Sequence, residues 1–78
     1  MPRYHFHLES SIGPTADANG RDMPDDAAAV RDAGSTAGEV LIDELTGGNV
    51  KPKVAVTVER SDGTKVAIVK IYAEVEIL

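Results

Sequence analysis

The dipeptide Asp62-Gly63 lies between two segments with alternating apolar residues, and it constrains the fold more than any other feature of this chain. Asp-Gly favours a two-residue type I′ turn, in which both central residues have positive φ, and such a turn joins adjacent antiparallel strands. The sequence therefore predicts a β-hairpin made of residues 54–61 and 64–72.

The same turn predicts the register of the hairpin, because pairing outward from Ser61 and Thr64 fixes every later partner. The partners on one face are then all apolar: Val58 with Ala67, Val56 with Val69, and Val54 with Ile71. Turn chemistry and hydrophobic pattern agree, so this face is predicted to be the inner face of a sheet. The opposite face carries a mixed set that is not expected to be fully solvated: Ala55, Thr57, Glu59, Val66, Ile68, Lys70 and Tyr72.

Residues 73–78 continue the alternation beyond the hairpin. The final strand is therefore predicted to outlast its hairpin partner and to leave an edge that can pair with another chain.

The first segment, residues 3–9, also alternates, with Tyr4, Phe6 and Leu8 on one face. This pattern predicts a half-buried strand. Residues 10–20 are rich in turn-forming residues, and Asn19-Gly20 is the tightest turn candidate. A short strand is expected at about residues 20–23.

A helix is predicted over about residues 25–45. Pro24 suits its first turn, Asp25 and Asp26 suit the positive end of its dipole, and Gly47-Gly48 suits its end. One apolar stripe runs along it: Val30, Ala33, Ala37, Leu41 and Leu45, with Val40 beside them.

Gly34 and Gly38 lie within this helix, where each costs about 1 kcal/mol relative to alanine. Their presence predicts close approach of another backbone, either the sheet under the helix or, less favoured, a second helix in a dimer.

Together these elements predict an α+β fold of two layers: an antiparallel sheet of three or four strands with one helix packed on one face, in the order β-β-α-β-β. With 78 residues the chain is expected to form a single domain, residues 1–78.

The net charge of −5 and the scattered lysines and arginines argue against nucleic acid as a partner. The absence of cysteine excludes disulfides. No apolar run is long enough to cross a membrane, and the first residues do not resemble a signal peptide. A cytoplasmic protein without a membrane partner is the expectation.

The opening Met1-Pro2-Arg3-Tyr4-His5-Phe6-His7-Leu8 resembles a small bacterial family whose members commonly begin MPRYFFHL. The similarity continues through the Gly- and Asp-rich turn, Pro24-Asp25, the alanine-rich helix and the Asp-Gly hairpin. The family is common in rhizobia and related alphaproteobacteria, and its members are uncharacterised. The resemblance therefore implies a fold and a lineage but no activity. The chain departs from the family pattern at His5, Gly34 and Gly38.

Candidate chemistry is sparse. His5 and His7 are two apart on a strand, so their imidazoles share a face and, with Glu9, form a weak candidate metal site. Two partly exposed structural histidines are the favoured interpretation. The acidic stretch lacks calcium-loop spacing and is explained by turns and helix-dipole charge: Asp17, Asn19, Asp22, Asp25 and Asp26.

No catalytic set is recognised. The segment around Thr36 resembles a nucleophile elbow only superficially, because it lies inside a helix and has no general base. The carboxylate pairs Asp43 with Glu44, and Glu74 with Glu76, are interpreted as solvated. No enzyme activity and no cofactor are expected.

Two functions remain open. The favoured one is a non-enzymatic interaction or oligomerisation module, with a protein partner or a homodimer formed through an outer-face surface that includes His5, His7, Ile68 and Tyr72. The alternative is a small metal- or ligand-binding protein that uses His5, His7 and Tyr72. A weaker analogy is to small acidic antitoxins, which rests on fold likeness alone.

Overall fold

The structure, a computed structural model, describes residues 1–78. Its elements are β1 (Arg3–Ser10), β2 (Gly13–Thr15), β3 (Arg21–Asp22), α1 (Asp26–Thr46), β4 (Lys53–Arg60) and β5 (Lys65–Tyr72). The fold class is α+β, as predicted: one helix packs against an open antiparallel sheet. The strand order is β2-β1-β4-β5, with β3 also paired to β1. Strand β2 lies in a segment predicted to be a turn, so the sheet has one more short strand than expected.

The core lies between the helix and the inner sheet face. Ala29, Ala33 and Ala37 are fully buried against Val56 and Val58. The other core side chains are Tyr4, Phe6 and Val54. Because alanine is small, the first part of the helix approaches the strands closely. Val30, expected in the apolar stripe, is only half-buried, and Ala29 takes its place in the core.

Both helix ends are capped. The Asp25 carboxylate accepts a hydrogen bond from Ala28 N–H at 2.8 Å, so Asp25 is the N-cap. Pro24 therefore precedes the helix, and the prediction that it lies in the first turn is wrong. At the other end Gly48 adopts a φ of 97°, and Asn49 N–H donates to the Glu44 carbonyl at 2.9 Å. This is a Schellman-type ending, which confirms the predicted Gly47-Gly48 stop.

The two helix glycines do not contact the sheet. A Cβ atom built on Gly34 or Gly38 meets no atom within 4 Å. The prediction of close backbone approach to the sheet is therefore wrong, and both positions open onto free space.

The predicted register of the hairpin is confirmed, with Val58, Val56 and Val54 opposite Ala67, Val69 and Ile71. The predicted turn is wrong. Asp62 has no positive φ, only Gly63 does, at 91°. Arg60 N–H bonds the Thr64 carbonyl at 2.8 Å, which makes a three-residue loop.

A bulge reconciles the longer loop with the predicted register. Val58 pairs with Ala67 whereas Glu59 pairs with Lys65, so Val66 is the extra residue on β5. Val66 packs against the core and not on the outer face, where it was predicted.

Residues 73–78 are not part of β5, but the pairing continues past Tyr72. Ala73 N–H donates to the Pro52 carbonyl at 3.1 Å, and Val75 N–H donates to the Val50 carbonyl at 2.8 Å. The segment before β4 thus supports the chain as far as Val75, and β5 with residues 73–75 forms a long edge of the sheet.

Candidate functional site

The outer sheet face, opposite the helix, carries the residues that the sequence analysis singled out. Strand register arranges them in rows across β1, β4 and β5. One row holds His7, Thr57 and Ile68, the next holds Glu9, Ala55 and Lys70. Lys53 and Tyr72 pair one step further along.

Asp17 organises the histidine end of this face. Its carboxylate accepts hydrogen bonds from the N–H groups of Phe6 at 3.0 Å, Asn19 at 3.2 Å and Gly20 at 3.0 Å. Gly20 is required at this turn, because its φ is 75° and a Cβ would lie 2.7 Å from the Tyr4 carbonyl oxygen. This bears out the turn interpretation for Asp17, whereas Asp22 forms an ion pair with Arg3 at 3.3 Å.

The backbone of Asp17 also engages both histidines. The Asp17 carbonyl lies 2.9 Å from His5 Nδ1, and Asp17 N–H donates to His7 Nδ1 at 3.1 Å. The two rings stack with centroids 6.2 Å apart. A carbonyl can only accept and an N–H can only donate, so His5 carries its proton on Nδ1 and neutral His7 carries its proton on Nε2.

This tautomer pattern weakens the metal hypothesis. His7 Nε2 lies 3.8 Å from Glu59 Oε1, and its other nitrogen is occupied by the Asp17 N–H. A metal on His7 would require breaking that hydrogen bond or removing the Nε2 proton. No group of three or more His, Cys, Asp or Glu side chains is positioned to hold a metal ion.

The structure brings His5 and His7 together but not Tyr72, which pairs with Lys53 at the other end of the face. Tyr72 is 78% exposed and Ile68 is 52% exposed, so both are accessible on β5. The four residues proposed as an interaction face therefore lie on one surface, but Tyr72 is at the opposite end of it from the two histidines.

The largest concavity, with a volume of about 680 Å³, lies at the Tyr72 end. Its floor includes Ala55, whose methyl group is short beside the side chains of the neighbouring strands. Lys51, Lys53 and Lys70 line it; we call this concavity the lysine groove. Lys51 pairs with Glu74 at 3.7 Å, whereas Lys53 and Lys70 make no ion pair. The lysine groove therefore has a local excess of positive charge, although the whole chain has a net charge of −5.

The lysine groove was not predicted from the sequence, although part of its pattern is present there. The predicted hairpin register already places Lys70 opposite Ala55 and Lys53 opposite Tyr72. The hairpin register does not predict the other wall of the groove. That wall forms because β1 pairs with β4 and brings Glu9 beside Ala55, and no local sequence pattern indicates this pairing.

The remaining carboxylate and hydroxyl candidates form no catalytic set. Asp43 is exposed, but Glu44 is half-buried and accepts a hydrogen bond from Ser11 N–H at 3.1 Å, which corrects its assignment to a solvated pair. Thr36 lies within the continuous helix α1.

A second polar cluster joins β1, α1 and β4. Tyr4 donates its hydroxyl to Asp26 Oδ1 at 2.5 Å, and the Arg60 guanidinium forms an ion pair with the same carboxylate. The hydrogen bond from Arg60, followed by that from Tyr4, lowers the pKa of Asp26. At Asp17, burial opposes ionisation, but the N–H groups of Gly20, Phe6 and Asn19 outweigh it and lower the pKa.

Acid is therefore expected to destabilise the fold through these two carboxylates. Their pKa values in the folded state lie below the ordinary 3.8, so their stabilisation is complete above about pH 4 and is lost as pH falls through the lower folded values. Urea unfolding followed by circular dichroism should give a midpoint that falls as the pH is lowered below about 4.

The matched variants are Asp17→Asn and Asp43→Asn. Asp17→Asn should lower stability at neutral pH, since an amide NH₂ cannot accept the Phe6 N–H, and should reduce the acid-induced loss. Asp43→Asn should leave the acid-induced loss as in the wild type. Equal pH profiles for Asp17→Asn and the wild type would contradict the assignment.

No helix of the structure is both long enough and apolar enough to cross a membrane. No curated protein and no solved structure matches the chain. A family model described as "Domain of unknown function (DUF6894)" matches residues 3–72, which include every strand and the helix. The chain therefore belongs to this family of uncharacterised domains.

Proposed function

We propose that the chain is a non-enzymatic interaction module that binds an extended, acidic protein segment along β5 and the lysine groove. The observation that carries the proposal is a free strand edge beside unpaired lysines. The resemblance of its opening residues supports a bacterial setting, and the cytoplasm is the compartment that we propose.

The edge supplies the backbone part of such a site. β5 is the last strand in the order β2-β1-β4-β5, so one side of it has no partner. The N–H groups of Ala73 and Val75 point toward the chain before β4. Because N–H directions alternate along a strand, the backbone groups of Ile68, Lys70 and Tyr72 point to the free side. An extended segment can add to this edge as a further strand.

The side chains supply the specificity. Lys70 is exposed at the free edge, and Lys53 and Lys51 lie beside it in the groove. Acidic side chains on an added strand would meet this positive surface, while the exposed Ile68 offers an apolar contact. A strand edge favours a polypeptide over a nucleic acid, and Glu9 in the groove together with the net charge of −5 disfavours a polyanionic backbone.

The test is a fluorescence anisotropy titration with a labelled peptide of alternating Glu and Val. We expect saturable binding that weakens with salt, and about tenfold weaker binding by Lys70→Glu. Lys65→Glu is the matched control, because Lys65 lies at the other end of β5 and does not line the groove. It should bind within about twofold of the wild type.

Two results would overturn the proposal. One is equal binding of a matched Lys-and-Val peptide. The other is tighter binding of a single-stranded oligonucleotide of equal charge, which would assign the groove to nucleic acid.

A further inference from the structure

The segment that follows β5 has the chemistry of the ligand just described. Residues 73–78 place Glu74 and Glu76 on one side of an extended chain and Val75 and Ile77 on the other. Val75 is 45% exposed and Ile77 is 83% exposed, so these apolar side chains are not buried by the rest of the protein. We infer that the occupant of the β5 edge is the same edge of a second copy, paired antiparallel about a two-fold axis near Tyr72 and Ala73. This inference rests on the proposed function and names its partner.

Backbone geometry restricts the registers. Residues with even numbers from 68 to 76 direct their N–H and C=O groups to the free side, by alternation from the Ala73 and Val75 hydrogen bonds. Even residues must therefore pair with even residues of the second copy. This parity also keeps the outer and inner faces of both copies aligned.

Charge then selects among the allowed registers. An axis through Lys70 would set two lysines opposite each other, and an axis through Glu74 would set two glutamates opposite each other; like charges directly opposite are destabilising. An axis at Tyr72 places Lys70 opposite Glu74 of the second copy, and an axis at Ala73 places it opposite Glu76. Both arrangements form the ion pair twice, by symmetry.

The inner-face partners in these two registers are apolar as well. With the axis at Tyr72, Val69 lies opposite the second copy's Val75. With the axis at Ala73, Val69 lies opposite the second copy's Ile77, and Ile71 lies opposite its Val75. Self-pairing thus covers the exposed apolar side chains of the tail and continues the sheet across the axis.

The first experiment is a charge swap followed by sedimentation equilibrium from micromolar to millimolar concentration. The wild type should show reversible dimerisation. Lys70→Glu alone, and Glu74→Lys with Glu76→Lys, should each weaken self-association by at least about tenfold, because each creates like-charge contacts. An equimolar mixture of the two variants should dimerise, since both symmetry-related contacts then join opposite charges.

Lys65→Glu again serves as the control and should dimerise like the wild type. All substituted positions are exposed, and circular dichroism melting checks that each variant is folded. A mixture that associates no better than the separate variants would overturn the inference.

The second experiment uses the absence of native cysteine. Tyr72→Cys and Ala73→Cys are each made alone and oxidised. At least one should give a disulfide-linked dimer, since residues at the axis bring their Cα atoms within the 4.4–6.8 Å that a disulfide spans. Lys65→Cys should form no disulfide-linked dimer, because its two copies would lie on the order of 45 Å apart along the paired strands.

The outcomes separate this inference from the proposed function. A wild type that stays monomeric at millimolar concentration but binds the acidic peptide rejects the second copy and retains the interaction module. A monomer that does not bind the peptide rejects both. A dimer that crosslinks equally through Lys65→Cys rejects the proposed axis.

Discussion

Replacing Phe6 with alanine is expected to lower the free energy of unfolding by about 3–5 kcal/mol, the usual cost of removing a buried aromatic ring. Phe6 is 8% exposed and belongs to the core cluster. The guanidinium of Arg21 lies 4.4 Å from its ring centroid, so the substitution also removes a cation–π contact. For a small domain with a total stability of roughly 5–10 kcal/mol, this loss leaves little margin. Urea denaturation followed by circular dichroism measures it.

Two further variants test whether the loss of stability comes from the packing of the Phe6 ring in the core or would follow from removing any apolar side chain. Phe6→Leu keeps most of the volume and should cost less than half as much as Phe6→Ala. Ile12→Ala removes an apolar side chain that is 89% exposed, and it should change stability by no more than about 0.5 kcal/mol. If Phe6→Ala behaves like Ile12→Ala, the ring does not support the core.

The hairpin shows what local sequence can determine and where it stops. The alternation of valines predicted the register of β4 and β5, because a slip by one residue would turn the buried face toward water. The turn itself was mispredicted, since Asp62 can avoid positive φ if the loop gains one residue. The bulge at Val66 accommodates the additional residue, and no local sequence pattern predicts this bulge.

The site depends on contacts between distant segments, which a single sequence does not display. Asp17 holds Phe6 and both histidines through hydrogen bonds that cross a turn of unpredicted shape. The spacing of the histidines indicates that they share a face, but it does not determine which ring nitrogen of each carries the proton. The lysine groove likewise requires β1 to lie beside β4, and only then does Ala55 become the floor of a concavity.

The helix glycines show the opposite error, in which a strong local signal was given the wrong cause. Gly34 and Gly38 were expected to touch the sheet, and alanines at 29, 33 and 37 do so instead. The glycines occupy a neighbouring stripe of the helix, displaced by one residue from the buried one. With 3.6 residues per turn, successive helix residues lie about 100° apart, so these glycines fall on a different face from the buried alanines, and small side chains alone did not indicate which face packs on the sheet.

The variant Gly34→Ala with Gly38→Ala is consequently expected to be more stable than the wild type. Each substitution removes the helix cost of glycine, about 1 kcal/mol, and a new methyl group meets no atom within 4 Å. The combined gain of about 2 kcal/mol should raise the melting temperature by about 8–16 °C, measured by circular dichroism or calorimetry.

The control is Gly20→Ala, which changes the same residue type where φ is 75° and a Cβ would lie 2.7 Å from a backbone oxygen; this variant should be less stable than the wild type.

Self-association of the helix variant tests whether the two helix glycines take part in a dimer contact. If copies pair through β5, the Gly34→Ala and Gly38→Ala variant should associate as the wild type does, because the pairing uses β5 and the residues that follow it, and neither glycine belongs to these segments. Loss of both stability and association in this variant would instead place the glycines in a close helix-to-helix contact, since only a tight interface leaves no room for two methyl groups.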